Sequence, residues 1–413
     1  MTNKIILLLL FLYVFCSYVS YGQTPSYKME IIQKSVNSFF VKLDISLQGN
    51  YCEKDSVEFS FGGLMPKFAV KGLKIKSNKS IPFVFDQENR VVKICKNDIK
   101  QEKINFEYKF NIIAGISRNK CASLFYNLLE YPIPVIKNIE NIYFNCKIKK
   151  AKNFDVVANI QKESNFYISE MIDVNKIAFV FLDTTAFKTN KFSTPFCEIN
   201  VFTTDETLTE NDFKRLSNKL INCINYFSSN IAPCRYKELN IVEFAWMIGS
   251  TYIGNVAVVE KSVFKSYTLF HEIIHEWIGG IITCKEASKG EFLIKESLND
   301  YFTMQFIRHE DGDSLYNVAL QNYKNGYNNY LKTNDDISIF DVTEYTNSTH
   351  PIIMYKQVLL LDDFARKIGY DRFNNSIFEF LKSRIGNPIE TTDFLDFLKK
   401  QYGQNAIDYC NKI

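Results

Sequence analysis

Five side chains within one short stretch are of the types and spacing that hold a metal ion and move a proton: His271, Glu272 and His275, then Glu296 and Asp300. The chain has only four histidines, so a pair of them four apart around a glutamate is not something composition supplies by itself. On a helix, residues four apart lie on one face, and His271 and His275 can offer two imidazole nitrogens to one ion. Glu272 is rotated roughly 100° from His271. That sets its carboxylate beside the place of a metal-held water, where it can act as general base. A catalytic zinc needs a third protein ligand and one open position. Glu296 is the expected third ligand. Asp300, four residues on, shares its helix face and is placed to accept a hydrogen bond from a ligand imidazole and fix its tautomer. Glu291 is a rival ligand, but it sits near the start of that second helix, where a carboxylate also favours the helix dipole.

The elements that must carry these groups are legible in outline. Phe270, Ile273, Ile274 and Trp277 form a stripe at helical spacing, so the histidines beside it are not needed to fill the core. Gly279-Gly280 is expected to end the first helix, because glycine tolerates the left-handed cap. After the polar connection Lys285–Gly290, the run FLIKESLNDYFTMQFI reads as the second helix. Upstream, Tyr27 to about Thr203 is strand after strand: NSFFVKLDISL, DSVEFSFG, PFVFD, RVVKIC, INFEYKFNI, NIYFNCKIK, KIAFVFL and CEINVF. Their spacing predicts an antiparallel β-sandwich or saddle. From Thr209 the period changes to 3.6, with Phe213, Leu216, Leu220, Ile224 and Phe227 on one face. Two strands, ELNIVEFAWM and NVAVVEK, precede the histidine helix. After the second helix come a polar stretch from Asp311 to His350, a helix in IIMYKQVLLLDDFARKIG, and a last helix capped by Thr391/Thr392 and closed by Gly403. The fold class expected is α+β, a β-sandwich domain over 23–204 and a mainly helical zinc domain over 205–413.

Residues 1–22 read as a secretory signal: Lys4, an apolar run from Ile5 to Phe15, and small residues before Gln23. Cys16 invites a lipid anchor, but Phe15 before it departs from the small residue such a site takes. No other segment is long and apolar enough to span a membrane. A net charge of +3, with acids and bases interspersed, gives no sign of a nucleic-acid surface. The ten cysteines contain no C-x-x-C pair, which argues against a cysteine metal site, and their pairing cannot be assigned.

HEIIHEWIGG followed by FLIKESLNDYF resembles the gluzincin metallopeptidases, and among them the membrane alanyl aminopeptidase and leukotriene hydrolase family. That family's motif is H-E-x-x-H-x-W-[FT]-G-N, with a glutamate after eighteen intervening residues; His275, Trp277 and Gly279 match it. Gly280 stands in place of the asparagine, and twenty residues separate His275 from Glu296. The resemblance implies a β-saddle packed with a thermolysin-like domain, one zinc per chain held by His271, His275 and Glu296, and a peptide substrate. Tyr355, in a segment similar to the family's Y-x-K-G-x-x-x-L, then donates to the oxyanion, with His350 an outside candidate for that role. The strand bearing Val256 and Val258 becomes the edge that pairs with the substrate backbone. The family's large C-terminal helical domain is left out of the resemblance. So is its G-x-M-E-N segment, whose glutamate recognises a free amino terminus. Asn255 matches the final asparagine, but Ile253 and Gly254 stand where methionine and glutamate belong. No carboxylate lies between Gly249 and Val259, and Glu260 and Glu276 are the nearest in sequence. The expectation is a secreted or periplasmic zinc metallopeptidase, aminopeptidase-like with altered selectivity for the amino terminus. A non-catalytic exported binding protein that keeps the zinc helices as structure is the alternative.

Overall fold

A computed structural model describes residues 24–413 apart from 36–37, 48–55, 62–70, 87–90, 101, 112–121, 127–132, 137–138, 140, 174–176, 205–206, 245–249 and 286. The segment read as an export signal lies outside the described residues. The chain divides into two compact units, Met1–Ala186 and Phe187–Ile413.

Among the described residues, the first unit is built from strands apart from one short 3-10 turn. Alternation in the sequence becomes alternation in space: Ser26–Ser35 and Ser38–Ser46 bury every second residue. These two strands lie at the centre of an eight-stranded sheet, and four- and three-stranded sheets complete the unit. Inward-facing Tyr27, Phe39, Phe59, Phe106, Phe144 and Phe179 from all three sheets meet in one core. Pairing is antiparallel except where Ser26–Ser35 runs parallel to Asn141–Lys149. The expected sandwich is therefore present, with one parallel pair that local periodicity could not reveal.

The second unit begins earlier than the change of period near Asp205. Strands Phe187–Ser193 and Glu198–Thr204, still strand-like in sequence, pair into this unit's own five-stranded sheet. The order is Phe187–Ser193, Glu198–Thr204, Glu238–Glu243, Val256–Val259, Thr251–Ile253. Helix Glu210–Asn230 starts in a capping box formed by Thr209 and Asp212, an arrangement that contributes about 1 kcal/mol. It buries Leu216, Leu220, Cys223, Ile224 and Phe227. The second zinc helix departs from expectation. It opens with a π-helical turn, Leu293–Ser297, and continues as Leu298–Tyr330 well into the polar stretch that begins at Asp311. Only Gly312, at φ 85°, interrupts it, and Tyr316 and Leu320 beyond the break still reach the core. A second π-helical turn, Pro351–Lys356, leads into helix Gln357–Ile368. Helix Thr391–Tyr402 has Glu390, not a threonine, at its cap position, where Glu390 N donates to Asp393 Oδ2 at 3.1 Å; Thr391 donates its hydroxyl to Gly290 O at 2.8 Å instead.

Candidate metal centre

The helix Thr268–Ile274 is short, and packing holds it in place where length cannot. Leu269, Phe270, Ile273 and Ile274 are buried on its inner side. Trp277, fully buried just beyond, donates its indole N–H to Ala232 O at 2.8 Å and packs on Phe227. The regular α-helix stops at Ile274, earlier than the glycines suggest, and His275 is its cap residue. Gly279 then takes φ +107°. At Gly280, a Cβ would stand 2.4 Å from Glu276 O. No residue with a side chain fits there without moving backbone, which accounts for glycine where the family pattern has asparagine.

Glu296 sits within the π-helical turn Leu293–Ser297. A π turn carries one residue more than an α turn and re-aims the side chains around it. Here it brings Glu296 Oε2 to 3.4 Å from His271 Nε2 and 3.6 Å from His275 Nε2, while the two Nε2 atoms are 3.1 Å apart. Ligands about 2.0–2.1 Å from zinc at tetrahedral angles stand about 3.4 Å from one another, so these edges match a zinc polyhedron. Among the described residues, His271, His275 and Glu296 are the group of donors able to hold a metal ion. Glu291 pairs with Lys295 at 3.2 Å instead.

The outer nitrogens fix the tautomers. His271 Nδ1 lies 3.2 Å from Asp300 Oδ1, and His275 Nδ1 lies 3.0 Å from Ile278 O. Each Nδ1 faces an oxygen, and a ring that donates from Nδ1 turns its Nε2 lone pair toward the place of an ion. Two lone pairs and a carboxylate oxygen converging on one point are mutually repulsive until a cation stands between them, and the donor set therefore fits zinc. The local field agrees. Burial opposes charge on His271, but Asp300 and Glu296 outweigh it and hold the ring well above the ordinary imidazole range. Burial likewise opposes charge on Glu296, but the charges of His275 and His271 and the hydrogen bonds they make hold it well below the usual carboxylate range. Asp300 is itself steadied by Tyr323, whose hydroxyl donates to Oδ2 at 2.6 Å. Asn299 donates to His271 O at 2.9 Å. Asp300→Ala is expected to fold but to weaken zinc binding by about 10–100-fold, the usual loss for such an outer partner. Competition against a chromophoric chelator measures it, and an unchanged affinity would remove Asp300 from the site.

Glu272 is buried beside the two rings, and burial raises it above the usual carboxylate range, only partly countered by His271 and His275. Tyr355 falls in the π turn Pro351–Lys356, with its ring 5.3 Å from that of Tyr323 and 5.2 Å from that of His350. His350 Nδ1 is 2.7 Å from the Tyr345 hydroxyl. Tyr323 and Tyr345 were invisible in the sequence: 24 tyrosines dilute any one of them, and neither has a motif spacing. The Ile278 carbonyl, being backbone, has no residue-type signal at all.

Two expectations about substrate contacts are corrected. Val256 and Val258 are buried, and their strand is paired on both sides, with Glu238–Glu243 and with Thr251–Ile253. The edge strand is Thr251–Ile253, which folds back through a turn at Gly254, φ +61°, and Asn255. Three residues are too few for an alternation to announce a strand. Glu276, one of the two carboxylates considered for an amino-group anchor, is fully buried and already engaged. It accepts from Arg235 N at 2.7 Å, Arg235 Nη2 at 3.4 Å and the Tyr252 hydroxyl at 2.9 Å.

Residues 255–412 match the model of the peptidase family M1 domain. No curated protein matches the sequence. Solved structures of the same fold include an M1 zinc metallopeptidase from Deinococcus radiodurans, 11% identical, with a TM-score of 0.63 over 94% of this chain and 94% of that one. Yeast leukotriene A4 hydrolase is 13% identical, TM-score 0.63, over 94% of this chain and 67% of that one. Legionella pneumophila aminopeptidase A, in complex with aspartic acid, is 10% identical, TM-score 0.64, over 94% and 48%. At such identities the likeness speaks for the fold; the family match and the three converging ligands speak for the chemistry. Residues 255–412 thus match a peptidase family M1 domain with a gluzincin set of zinc ligands, and they make the protein a zinc-dependent hydrolase of the aminopeptidase-like kind.

Proposed function

We propose that this hydrolase cleaves peptide bonds with Glu272 as general base and Tyr355 as oxyanion donor, and that it does not require a free amino terminus. A zinc ion held by His271, His275 and Glu296 would supply Lewis-acid polarisation of water and of the scissile carbonyl. Glu272 takes the proton from the attacking water and passes it to the leaving amine nitrogen. Burial holds its carboxyl above the usual carboxylate range, the direction in which a base more readily keeps a proton until the leaving nitrogen takes it. The Tyr355 phenol carries an O–H that can donate a hydrogen bond. A donor aimed at charge that develops only in the transition state lowers the barrier without tightening substrate binding.

The relaxed selectivity is carried by one observation: Glu276, one of the two carboxylates nearest in sequence to the segment that lacks the anchoring glutamate, has its oxygens taken by Arg235 and Tyr252. A substrate ammonium brought there would have to displace a buried ion pair, and left without a partner it is costly to desolvate. The edge strand Thr251–Ile253 offers no carboxylate in its place. Short peptides cut at internal bonds are accordingly the leading substrates. Among the described residues no helix is long and apolar enough to cross a membrane, and the signal-like residues 1–22 favour action outside the cytoplasm. Matched peptides with free and acetylated amino termini test the selectivity. Cleavage of both, followed by mass spectrometry, is the expected result; release of single residues from the free-amine peptide alone would overturn it.

A further inference from the structure

The long helix Leu298–Tyr330 carries a glycine, Gly326, in its last turns. Its backbone does not call for glycine: it is absent from the residues with positive φ. Helix propensity alone makes alanine the better residue at such a position. What excludes alanine is a neighbour. A Cβ on Gly326 would stand 2.5 Å from Tyr355 Cε2, 2.9 Å from Cδ2 and 3.1 Å from Cζ. The Tyr355 ring therefore rests on bare helix backbone.

That ring has little room to yield. Tyr323, one helical turn before Gly326, stands with its ring centroid 5.3 Å away, and His350 meets the ring edge-on at 5.2 Å. Both neighbours are pinned. Tyr323 donates to Asp300, which holds His271. The Tyr345 hydroxyl lies 2.7 Å from His350 Nδ1. A methyl group at Gly326 must push the phenol away from its place or push Tyr323 off the Asp300 carboxylate.

We infer that Gly326 is a positioning residue for the hydrolytic step, the side-chain-free seat that sets where the Tyr355 phenol stands relative to the metal ligands. The inference rests on the reading of Tyr355 as oxyanion donor. Misplacing a reacting group by about 1 Å can cost on the order of 10²-fold in rate. Gly326→Ala is thus expected to keep stoichiometric zinc and a near-normal KM while kcat falls about tenfold or more.

A double-mutant cycle on thermal stability tests the seat separately from the chemistry. In the wild-type background Gly326→Ala should lower Tm by about 2 °C or more; in a Tyr355→Ala background, with the ring gone, the same change should raise Tm, as helix propensity dictates. A rise of equal size in both backgrounds would overturn the seat. The kinetic arm pairs Gly326→Ala with Tyr355→Phe. The expected result is that adding Gly326→Ala to Tyr355→Phe changes kcat little. If the two losses multiply, Gly326 acts through the fold and its positioning role falls. If Tyr355→Phe keeps full kcat while the Tm cycle shows the predicted reversal, the reading of Tyr355 falls and the packing seat stands.

Discussion

Glu272→Gln is expected to bind zinc stoichiometrically, unfold at the wild-type temperature, and lose at least about 10²-fold in kcat on short peptides. That loss corresponds to about 2.7 kcal/mol of transition-state stabilisation. Glutamine preserves the volume and the hydrogen-bonding reach of the side chain, so the buried position is filled as before; what disappears is the ability to accept the water's proton and return it. The change also removes a buried charge, and if stability moves at all it should rise. Metal analysis with single-turnover peptide assays reads both quantities. Full activity in Glu272→Gln would dismiss the general-base role.

The second large effect is on the metal itself. His271→Ala and Glu296→Ala should each abolish stoichiometric zinc, because a three-ligand site has no spare donor. Glu291→Ala should keep it, since Glu291 pairs with Lys295 and stands outside the convergent group. Elemental analysis of the three purified variants gives a direct reading. Zinc retained by Glu296→Ala and lost by Glu291→Ala would replace the third ligand. Loss of activity in Glu296→Ala with zinc still present would instead make that carboxylate a substrate contact.

The parts of the centre legible in the sequence were those governed by the helical repeat. His271 with His275, and Glu296 with Asp300, are each four residues apart, and the structure brings all four to one place. The β-rich first unit was legible for the same kind of reason, a strict inside-outside alternation along Ser26–Ser35 and Ser38–Ser46. What escaped was decided by contacts between segments far apart in the chain. The strand of Val256 and Val258 reads identically whether it is an edge or an interior strand; only its pairing with the brief Thr251–Ile253 settles the matter. The extension of the second zinc helix to Tyr330 was hidden because its exposed turns carry Asp, Asn and Lys, and the buried Tyr316 and Leu320 are too sparse to make a stripe. The threonine expected as a cap was drawn away by Gly290, and Glu390 took its place.

Both π-helical turns bear on how this molecule can vary. Leu293–Ser297 holds Glu296, Pro351–Lys356 holds Tyr355, and the two meet where the Ser297 hydroxyl donates to Ile353 O at 2.7 Å. Each turn is an α-helix with a single residue spliced in. Excising that residue would leave an ordinary α turn with its flanks nearly in phase, yet Glu296 or Tyr355 would lose the aim that the wider turn gives it. Along these two segments the chain can therefore exchange many side chains and still work, but it cannot change its count. Length, more than composition, is the heritable constraint there, and a one-residue gap would be lethal to the centre while sparing the fold.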